Sequence, residues 1–265
     1  MPKSFIIFNG QSSAKFGVTI EELPQSSHAE RRAEPYQIAG RNGSFVREDG
    51  TFENYEQAYT FNTRNITTDR NAYQTSCDIA TWLLGSSGYC RLEDTYEPED
   101  YRLARFAGPF NVESILRKYG RGTIVFDCQP ERYLKTGEQP ILAPQAFLSS
   151  ADGEFSIANP TAFAAEPVIN VVGSGIVHFK IETDPGTPWT TFLLDLGSEV
   201  QGITIDCKTY KMTAGDGSDF SSHATIASSD GYKTLPKLLG TTNIRKLSGS
   251  GNLQGLAITP RWWTI

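Results

Sequence analysis

The feature that most constrains the fold is a period-two alternation of apolar and polar residues, which recurs in short runs along most of the chain. In GITIDC, for example, Ile203, Ile205 and Cys207 alternate with Thr204 and Asp206. Successive side chains of a β-strand point to opposite faces, so each such run predicts a strand with one buried face. Many short strands separated by turn residues are typical of β-sandwiches and jelly rolls. The sequence therefore predicts a mainly β protein.

One run departs from this pattern and predicts a single short α-helix, TSCDIATWLLG, over residues 75–85. Its apolar stripe consists of Ile79, Trp82 and Leu83. Thr75 or Ser76 is suited to cap its N-terminus, and Gly85 is suited to a left-handed stop. Farther along, Gly120-Arg121-Gly122 predicts a hairpin-like turn between two strands. The second half of the chain shows no clear helix.

A chain of 265 residues has a prior of about two domains. The segment RYLKTGEQPILAP, Arg132 to Pro144, is polar and is broken by one glycine and two prolines. Such a segment is typical of a domain boundary. We therefore predict an N-terminal domain over residues 1–135 and a C-terminal β domain over residues 136–265.

The stretch IAGRNGSF, Ile38 to Phe45, predicts a β-hairpin. Its Asn42-Gly43 pair favours a two-residue type I′ turn, in which both residues adopt a positive φ. Gly40 and Arg41 stand directly before this turn. The pattern alone does not assign them a role.

Composition argues against several classes of function. The net charge of -6 is unfavourable for a protein that grips phosphate backbones. No apolar run approaches the ~18–20 residues that cross a bilayer, so we expect no membrane insertion and no export signal. Four dispersed cysteines without C-x-x-C spacing predict reduced, mostly buried thiols. Three scattered histidines make a zinc site improbable.

The sequence carries no common catalytic or cofactor motif, and we expect no catalytic, cofactor-binding or metal-binding residue. The acidic run EDTYEPED, residues 93–100, is interpreted as a solvated loop and not as a glycosidase carboxylate pair. His178 alternates with apolar neighbours and is interpreted as a half-exposed strand residue. His223 and the serines of SDFSSH lack an orienting carboxylate at a recognisable spacing, so a nucleophile is not predicted there.

Trp262 and Trp263 are the best evidence for a binding surface. Because neighbouring strand residues face opposite sides, one indole should enter the core and the other should face outward or pack on a neighbour. The outward ring has three possible roles, which are packing within its domain, contact with another subunit or domain, and stacking on a sugar.

Several motifs, taken in order, resemble the distal tail proteins (Dit) of phages with long non-contractile tails. In the first half these are IAGRNGSF, ENYEQAYTF, IATWLLG, YCRLEDTYEPEDYRLARF and GTIVFDCQPERY. In the second half they are IANPTAFAAEPVINVVGSG, ITIDC, LPKLLG and ITPRWW. Each motif is short, but their order and spacing extend over most of the chain.

The resemblance implies an N-terminal β-sandwich-like domain with one short helix, and a C-terminal jelly-roll or galectin-like β-sandwich that projects outward. It implies a virion protein at the distal end of the tail, assembled in the host cytoplasm. Six N-terminal domains would form a ring that joins the tail tube to the tail-tip (tail-associated) protein. The tape measure and receptor-binding proteins are further expected partners. DNA would pass through the lumen of the ring without specific binding. The resemblance is compatible with one ring or with two stacked rings.

On this frame the candidate interface residues are Gly40, Arg41, Asn42, Gly43, Trp82, Trp262 and Trp263. Gly40 would permit a bulge or a close backbone approach, and the planar fork of Arg41 suits a carboxylate across a subunit boundary. A solvated or intramolecular charge at the strand end is the alternative for Arg41. The alternative function is a carbohydrate-binding adsorption protein that uses Trp262 or Trp263, although the chain has no block large enough for an inserted sugar-binding module.

Overall fold

The computed structural model describes residues 4–21, 27–64, 72–106, 108, 112–116, 119–183, 189–248 and 251–265. The chain divides into two compact units, Met1–Arg132 with Ile265, and Tyr133–Thr264. The sequence placed the division at residues 135 and 136, inside a linker. The division between the units falls within one 16-residue strand, Tyr119–Leu134, and a short 3-10 helix, Lys135–Glu138, follows this strand.

The described part of the N-terminal unit contains ten strands, one α-helix and a short 3-10 helix, Ser13–Phe16. Their bounds are β1 Ile6–Phe8, β2 Gln11–Ser12, β3 Val18–Ile20, β4 Arg31–Tyr36, β5 Phe45–Phe52, β6 Tyr55–Arg64, α1 Ala72–Leu84, β7 Cys90–Asp94, β8 Asp100–Phe106, β9 Val112–Leu116 and β10 Tyr119–Leu134. The main sheet has the order β2-β1-β7-β8-β10-β6-β3, with β9 also paired to β10. Strands β4 and β5 form a separate two-stranded sheet.

The core of this unit lies against one face of the main sheet. Alternate residues of β6 are buried, including Tyr55, Tyr59 and Phe61. Helix α1 contributes its predicted stripe of Ile79, Trp82 and Leu83 to the same core. The period-two and helical patterns therefore predicted these faces correctly.

Three local predictions in this unit are wrong. Helix α1 begins at Ala72, so Thr75 and Ser76 lie inside it and not at its cap. Gly85 is not in the left-handed region, and its N–H donates to the Thr81 carbonyl at 2.9 Å as a continuation of the helical pattern. Gly120 to Gly122 form no turn, since they pair within β10 with Phe61 to Thr63 of β6.

The C-terminal unit is a β-sandwich of two five-stranded sheets, ordered β11-β20-β13-β16-β17 and β12-β19-β14-β15-β18. The elements of this unit are β11 Ile141–Leu142, α2 Gln145–Ser149, β12 Glu154–Ala158, β13 Val168–Ser174, β14 Ile176–Thr183, β15 Trp189–Asp195, β16 Gln201–Asp206, β17 Lys211–Ala214, β18 Ala224–Ser228, β19 Thr241–Lys246, β20 Asn252–Thr259 and β21 Trp263–Thr264, of which β21 pairs with β10 and lies outside these two sheets. The mainly β fold class is thus confirmed. The short helix α2 was not predicted, and Lys211–Ala214 forms an edge strand.

Apolar faces of both sheets meet in one core. Ile203, Ile205 and Cys207 are buried, and Val177, Phe179 and Ile181 face them from the other sheet. Strands β13 and β14 follow each other through Gly175, whose φ is 74°, but they belong to different sheets. This connection crosses the sandwich and is not a hairpin.

All four cysteines are free. Cys128 and Cys207 are buried, as predicted, whereas Cys90 is half-buried and Cys77 is exposed. Within the described ranges, no helix has both the length and the apolar character needed to cross a membrane.

Candidate assembly surface

The hairpin arm, which we define as β4, β5 and the loop between them, is the most exposed part of the described structure. From residue 31 to residue 51 every side chain is exposed except that of Phe45, which is half-buried. Among the described residues, none of those in the arm belongs to the core of the N-terminal unit or packs against it. An isolated two-stranded hairpin is marginally stable in water at best. The arm therefore lacks the support that a sheet normally receives from a core.

Local contacts hold the arm together. Its strands pair from Arg31 opposite Phe52 to Tyr36 opposite Phe45. Arg32 Nε lies 2.7 Å from a Glu53 carboxylate oxygen, and Arg31 Nη1 lies 3.4 Å from Glu48. The hydrogen bond from Arg32 lowers the pKa of the Glu53 carboxyl. These ion pairs are solvent-exposed, and such pairs contribute little net stability.

The hairpin tip, which we define as Tyr36, Ile38, Arg41, Phe45 and Val46, consists of four apolar or aromatic residues and one arginine. The Tyr36 and Phe45 rings stack with centroids 5.7 Å apart, and the Arg41 guanidinium carbon lies 4.6 Å from the Phe45 ring centroid. Tyr36, Ile38 and Val46 are each about half exposed, at 52%, 46% and 55%. Tyr36 and Phe45 are paired across the strands and share one face, whereas Val46 lies on the other face. Exposed apolar side chains grouped among charged residues are typical of a contact site.

The turn inside the tip differs from the one predicted. Strand β4 ends at Tyr36 and β5 begins at Phe45, so eight residues separate the strands where a two-residue turn was expected. Gly40 and Gly43 have φ values of 81° and 85°, but Asn42 does not have a positive φ. Arg41 N donates to the Ile38 carbonyl at 3.2 Å and closes a smaller turn within the loop.

The geometry of a type I′ turn occurs instead at the other Asn-Gly pair of the chain. Asn9 and Gly10 have φ values of 49° and 72° and link Phe8 to Gln11 across the β1-β2 pair. The dipeptide alone does not select the turn. The register of the flanking strands decides it, because a turn of this type needs its two neighbours to be directly paired.

The structure of the single chain shows the surroundings of Gly40 and Arg41. A side chain built on Gly40 would meet no atom within 4 Å, so no described backbone of the same chain approaches it closely, and its positive φ favours glycine. Arg41 lies over the ring of Phe45 in its own hairpin. Its guanidinium edge can still donate hydrogen bonds to a carboxylate, because stacking occupies only a face of the group.

The three candidate tryptophans are largely packed within their own units. Trp82 is 7% exposed, stacks on Phe16 and donates from Nε1 to the Phe8 carbonyl at 3.2 Å. It is therefore a core residue of the N-terminal unit, and its ring is not available to a partner in this structure.

Trp262 and Trp263 follow the predicted alternation. Trp262 is 4% exposed in the sandwich core, and Trp263 is half-buried. The Trp263 ring stacks on Phe163 at 4.5 Å between centroids, and its Nε1 donates to the Ala164 carbonyl at 2.9 Å. Packing within the domain therefore accounts for both rings. A sugar-stacking platform at either residue is not supported.

The acidic run 93–100 is not the solvated loop that its sequence predicts. Asp94 and Asp100 are 5% and 8% exposed. Arg102, which is buried, donates from Nη1 to Asp94 at 3.1 Å and from Nη2 to Glu97. Arg132 lies 2.6 Å from Asp100 and 2.7 Å from Glu97. We call these five residues the buried ion network.

Two tyrosines close the network on the core side. The Tyr59 hydroxyl donates to Asp94 at 2.8 Å, and Arg102 Nε donates to the Tyr55 hydroxyl at 3.0 Å. Burial raises the pKa of Tyr55 to about 12 and also raises the pKa of the Asp100 carboxyl. This network ties the loop to the ends of β7 and β8. Removing one partner would leave a buried charge without compensation, which is strongly destabilising. The sequence signal that was missed is the set of two arginines, Arg102 and Arg132, on strands next to an acidic loop.

A second ion pair fixes the end of the chain to the sandwich. Arg261 contacts Asp206 through both terminal nitrogens, at 2.7 and 3.1 Å. The hydrogen bonds from Arg261 lower the pKa of Asp206 to about 2. This pair joins ITIDC to ITPRWW, two motifs that are far apart in sequence.

The C-terminal unit also has a cleft of about 580 Å³, lined partly by Asp195, Gln201, Asp216, Asp219, Phe220 and His223. Ser221 Oγ donates to Asp219 at 2.7 Å, and the His223 ring lies 5.4 Å from the Phe220 ring. Ser221 is thus engaged with a carboxylate and is not hydrogen-bonded to His223. Over the part of the chain that the structure describes, no group of three or more His, Cys, Asp or Glu side chains is placed to hold a metal ion.

No protein-family model matches this sequence, and no curated protein matches it either. Its structure is similar to the crystal structure of the SPP1 Dit protein, described as a paradigm of the hub adsorption apparatus in phages that infect Gram-positive bacteria. That match has a TM-score of 0.64 at 12% identity and covers 92% of this chain and 98% of the other.

The chain is also similar to a chain of the phage P2 baseplate in its activated conformation, in structures with Ca and with Sr. Both matches have a TM-score of 0.52 at 12% identity, and both cover 97% of this chain. They cover 97% and 96% of the baseplate chain. The chain therefore has the fold of these phage hub and baseplate proteins.

Proposed function

We propose that the protein is a structural hub of a phage tail tip. Six copies form a ring through their N-terminal units, and the ring joins the tail tube to the tail-tip protein and anchors receptor-binding proteins. The observation that carries this proposal is the hairpin arm, which is exposed along its length and ends in an apolar tip. The similarity of the fold to phage hub and baseplate proteins supports the same role.

Ring closure would give the unsupported arm a function. In a ring each subunit uses two different patches, one of which contacts the neighbour ahead and the other the neighbour behind. An arm that docks on the next subunit gains the core contacts that it lacks alone. It also removes an exposed hairpin with unpaired edges, which would otherwise be an aggregation hazard.

The chemistry of the tip fits a protein surface with an acidic group beside an apolar depression. Tyr36, Ile38 and Val46 supply apolar area, and aromatic residues and arginine are the types that most often dominate interface energy. The guanidinium of Arg41 would pair with the acidic group while its face remains on Phe45. The partner surface is another copy of this chain.

The test is light scattering with negative-stain imaging of the purified protein, which should show six-membered rings. The Arg41→Ala variant should form fewer rings at low protein concentration and should retain the circular dichroism of the folded chain. Arg245→Ala is the matched control, because Arg245 is likewise an exposed arginine. It lies in the sandwich, where it pairs with Glu154. It should assemble normally.

A strictly monomeric wild-type protein at all concentrations would contradict the ring. Equal loss of rings in Arg41→Ala and Arg245→Ala would contradict the specific role of the tip. Binding of a monomer to cell-wall polysaccharide would favour the alternative, a carbohydrate-binding adsorption protein.

A further inference from the structure

The chain contains two Asn-Gly pairs in different backbone settings. Asn9-Gly10 is held in a two-residue turn between paired strands, and Asn9 N donates to the Arg91 carbonyl at 3.0 Å. Asn42-Gly43 lies in the exposed eight-residue loop of the arm. No hydrogen bond to the Asn42 side chain is found among the described residues, and a side chain built on Gly43 would meet no atom within 4 Å.

This contrast matters for a reaction that asparagine undergoes without an enzyme. The backbone nitrogen of the next residue attacks the side-chain carbonyl carbon, a cyclic succinimide forms, and ammonia leaves with the added proton. Water then opens the ring at either carbonyl and yields aspartate or isoaspartate. The net reaction consumes one water and releases one ammonia.

The attack requires the following nitrogen to reach the side-chain carbonyl carbon. Glycine lacks a Cβ and leaves that nitrogen unhindered, and an unconstrained loop allows the backbone to rotate into position. Asn42-Gly43 satisfies both requirements. Asn9-Gly10 satisfies only the first, because the strand pairing on each side fixes its φ and ψ angles.

We propose that Asn42 is a site of spontaneous deamidation in the free subunit and that docking of the hairpin tip in the assembled ring protects it. The second part rests on the proposed function, and the first does not. The product places a new carboxylate beside Arg41, within the same exposed loop. That carboxylate would compete for the Arg41 guanidinium, so a modified subunit should assemble less well.

The test begins with purified full-length protein incubated at mildly alkaline pH, followed by proteolysis and mass spectrometry. The peptide that contains Asn42 should gain the mass of an amide-to-acid conversion several-fold faster than the peptide that contains Asn9. Equal rates, or faster conversion at Asn9, would overturn the proposal. Gly43→Ala should slow conversion at Asn42 and leave Asn9 unchanged, with circular dichroism confirming that the variant is folded.

A second measurement compares separated ring and monomer fractions. Slower conversion of Asn42 in the ring supports protection, and equal rates in both fractions would refute protection while leaving the reactive site standing. If no rings form at all, the proposed function fails, and the comparison of Asn42 with Asn9 still decides the reactive site. Asn42→Asp should reduce ring formation relative to wild type, and unchanged assembly would refute the effect on assembly.

Discussion

At the residue scale, two arginines on one strand show how position decides the energetic role of a charge. Arg102 and Arg105 both lie on β8 and both contact an aspartate. The Arg102 side chain is 3% exposed, whereas the Arg105 side chain is 59% exposed. When an exposed ion pair is broken, water can solvate the remaining charge, so the loss of stability is small. Water cannot do this for a charge left in a buried pair.

We therefore expect Arg102→Met to lower the free energy of unfolding by about 3–5 kcal/mol, because Asp94 and Glu97 lose a buried partner. Arg105→Met should cost less than about 1 kcal/mol. Urea denaturation followed by fluorescence measures both variants. Similar costs for the two substitutions would show that the network does not carry the stability assigned to it.

Sequence patterns could not reveal this network in full. Strand β8, DYRLARF, buries Arg102 on the same face as Asp100 and Ala104. An inward arginine reads as a break in an apolar face unless its partners are known. The carboxylates that pair with Arg102 are those of Asp94, on β7, and Glu97, in the loop after β7. Their distances from Arg102 depend on the tertiary structure.

At the element scale, the arm and the helix show what a local pattern does and does not determine. The apolar stripe of α1 predicted its buried face, but the sequence placed the N-terminus at Thr75 or Ser76, whereas the helix begins at Ala72. The arm was predicted as a hairpin, yet its loop length was not, since the same Asn-Gly dipeptide serves a tight turn at Asn9 and a long loop at Asn42. Strand register decides between them, and register is a property of two segments.

Because the arm contributes nothing to the described core, replacing residues 31–52 by a short Gly-Ser loop should leave the N-terminal unit folded. The loop need only connect Glu30 to Glu53, whose backbones are already joined by a 2.8 Å hydrogen bond. We expect the midpoint of thermal unfolding to remain close to that of the wild type and ring formation to be lost. Intact rings without the arm would rule out its role in assembly.

At the scale of the whole molecule, the two-domain organisation could be predicted, but the type of boundary could not. The glycine and prolines of RYLKTGEQPILAP suggested a linker, whereas Leu134 ends a strand that belongs to both units and Ile141–Leu142 pairs with β20. Polar residues and prolines occur in edge strands and in turns as well as in linkers. Composition cannot separate these cases.

The net charge of -6 also acts at this scale. We propose that acidic residues face the lumen of the ring and allow DNA to pass without adhesion. Purified rings should not retain double-stranded DNA in a mobility-shift assay at low ionic strength, where phosphate contacts are strongest. A basic DNA-binding protein run in parallel serves as the positive control. Retention that falls steeply with added salt, or a strongly positive calculated potential along the channel, would contradict this arrangement.

In the proposed ring assembly, the length of the arm has a kinetic consequence. At roughly 3.3 Å per residue, the six residues of β4 extend about 20 Å from stem to tip. The hairpin tip, held at that distance, enlarges the radius within which two diffusing subunits first make contact. The remaining surfaces then align while the tip holds the two subunits together. Shortening both strands by one residue pair at a time should thus slow the bimolecular step of assembly before it changes the stability of the finished ring.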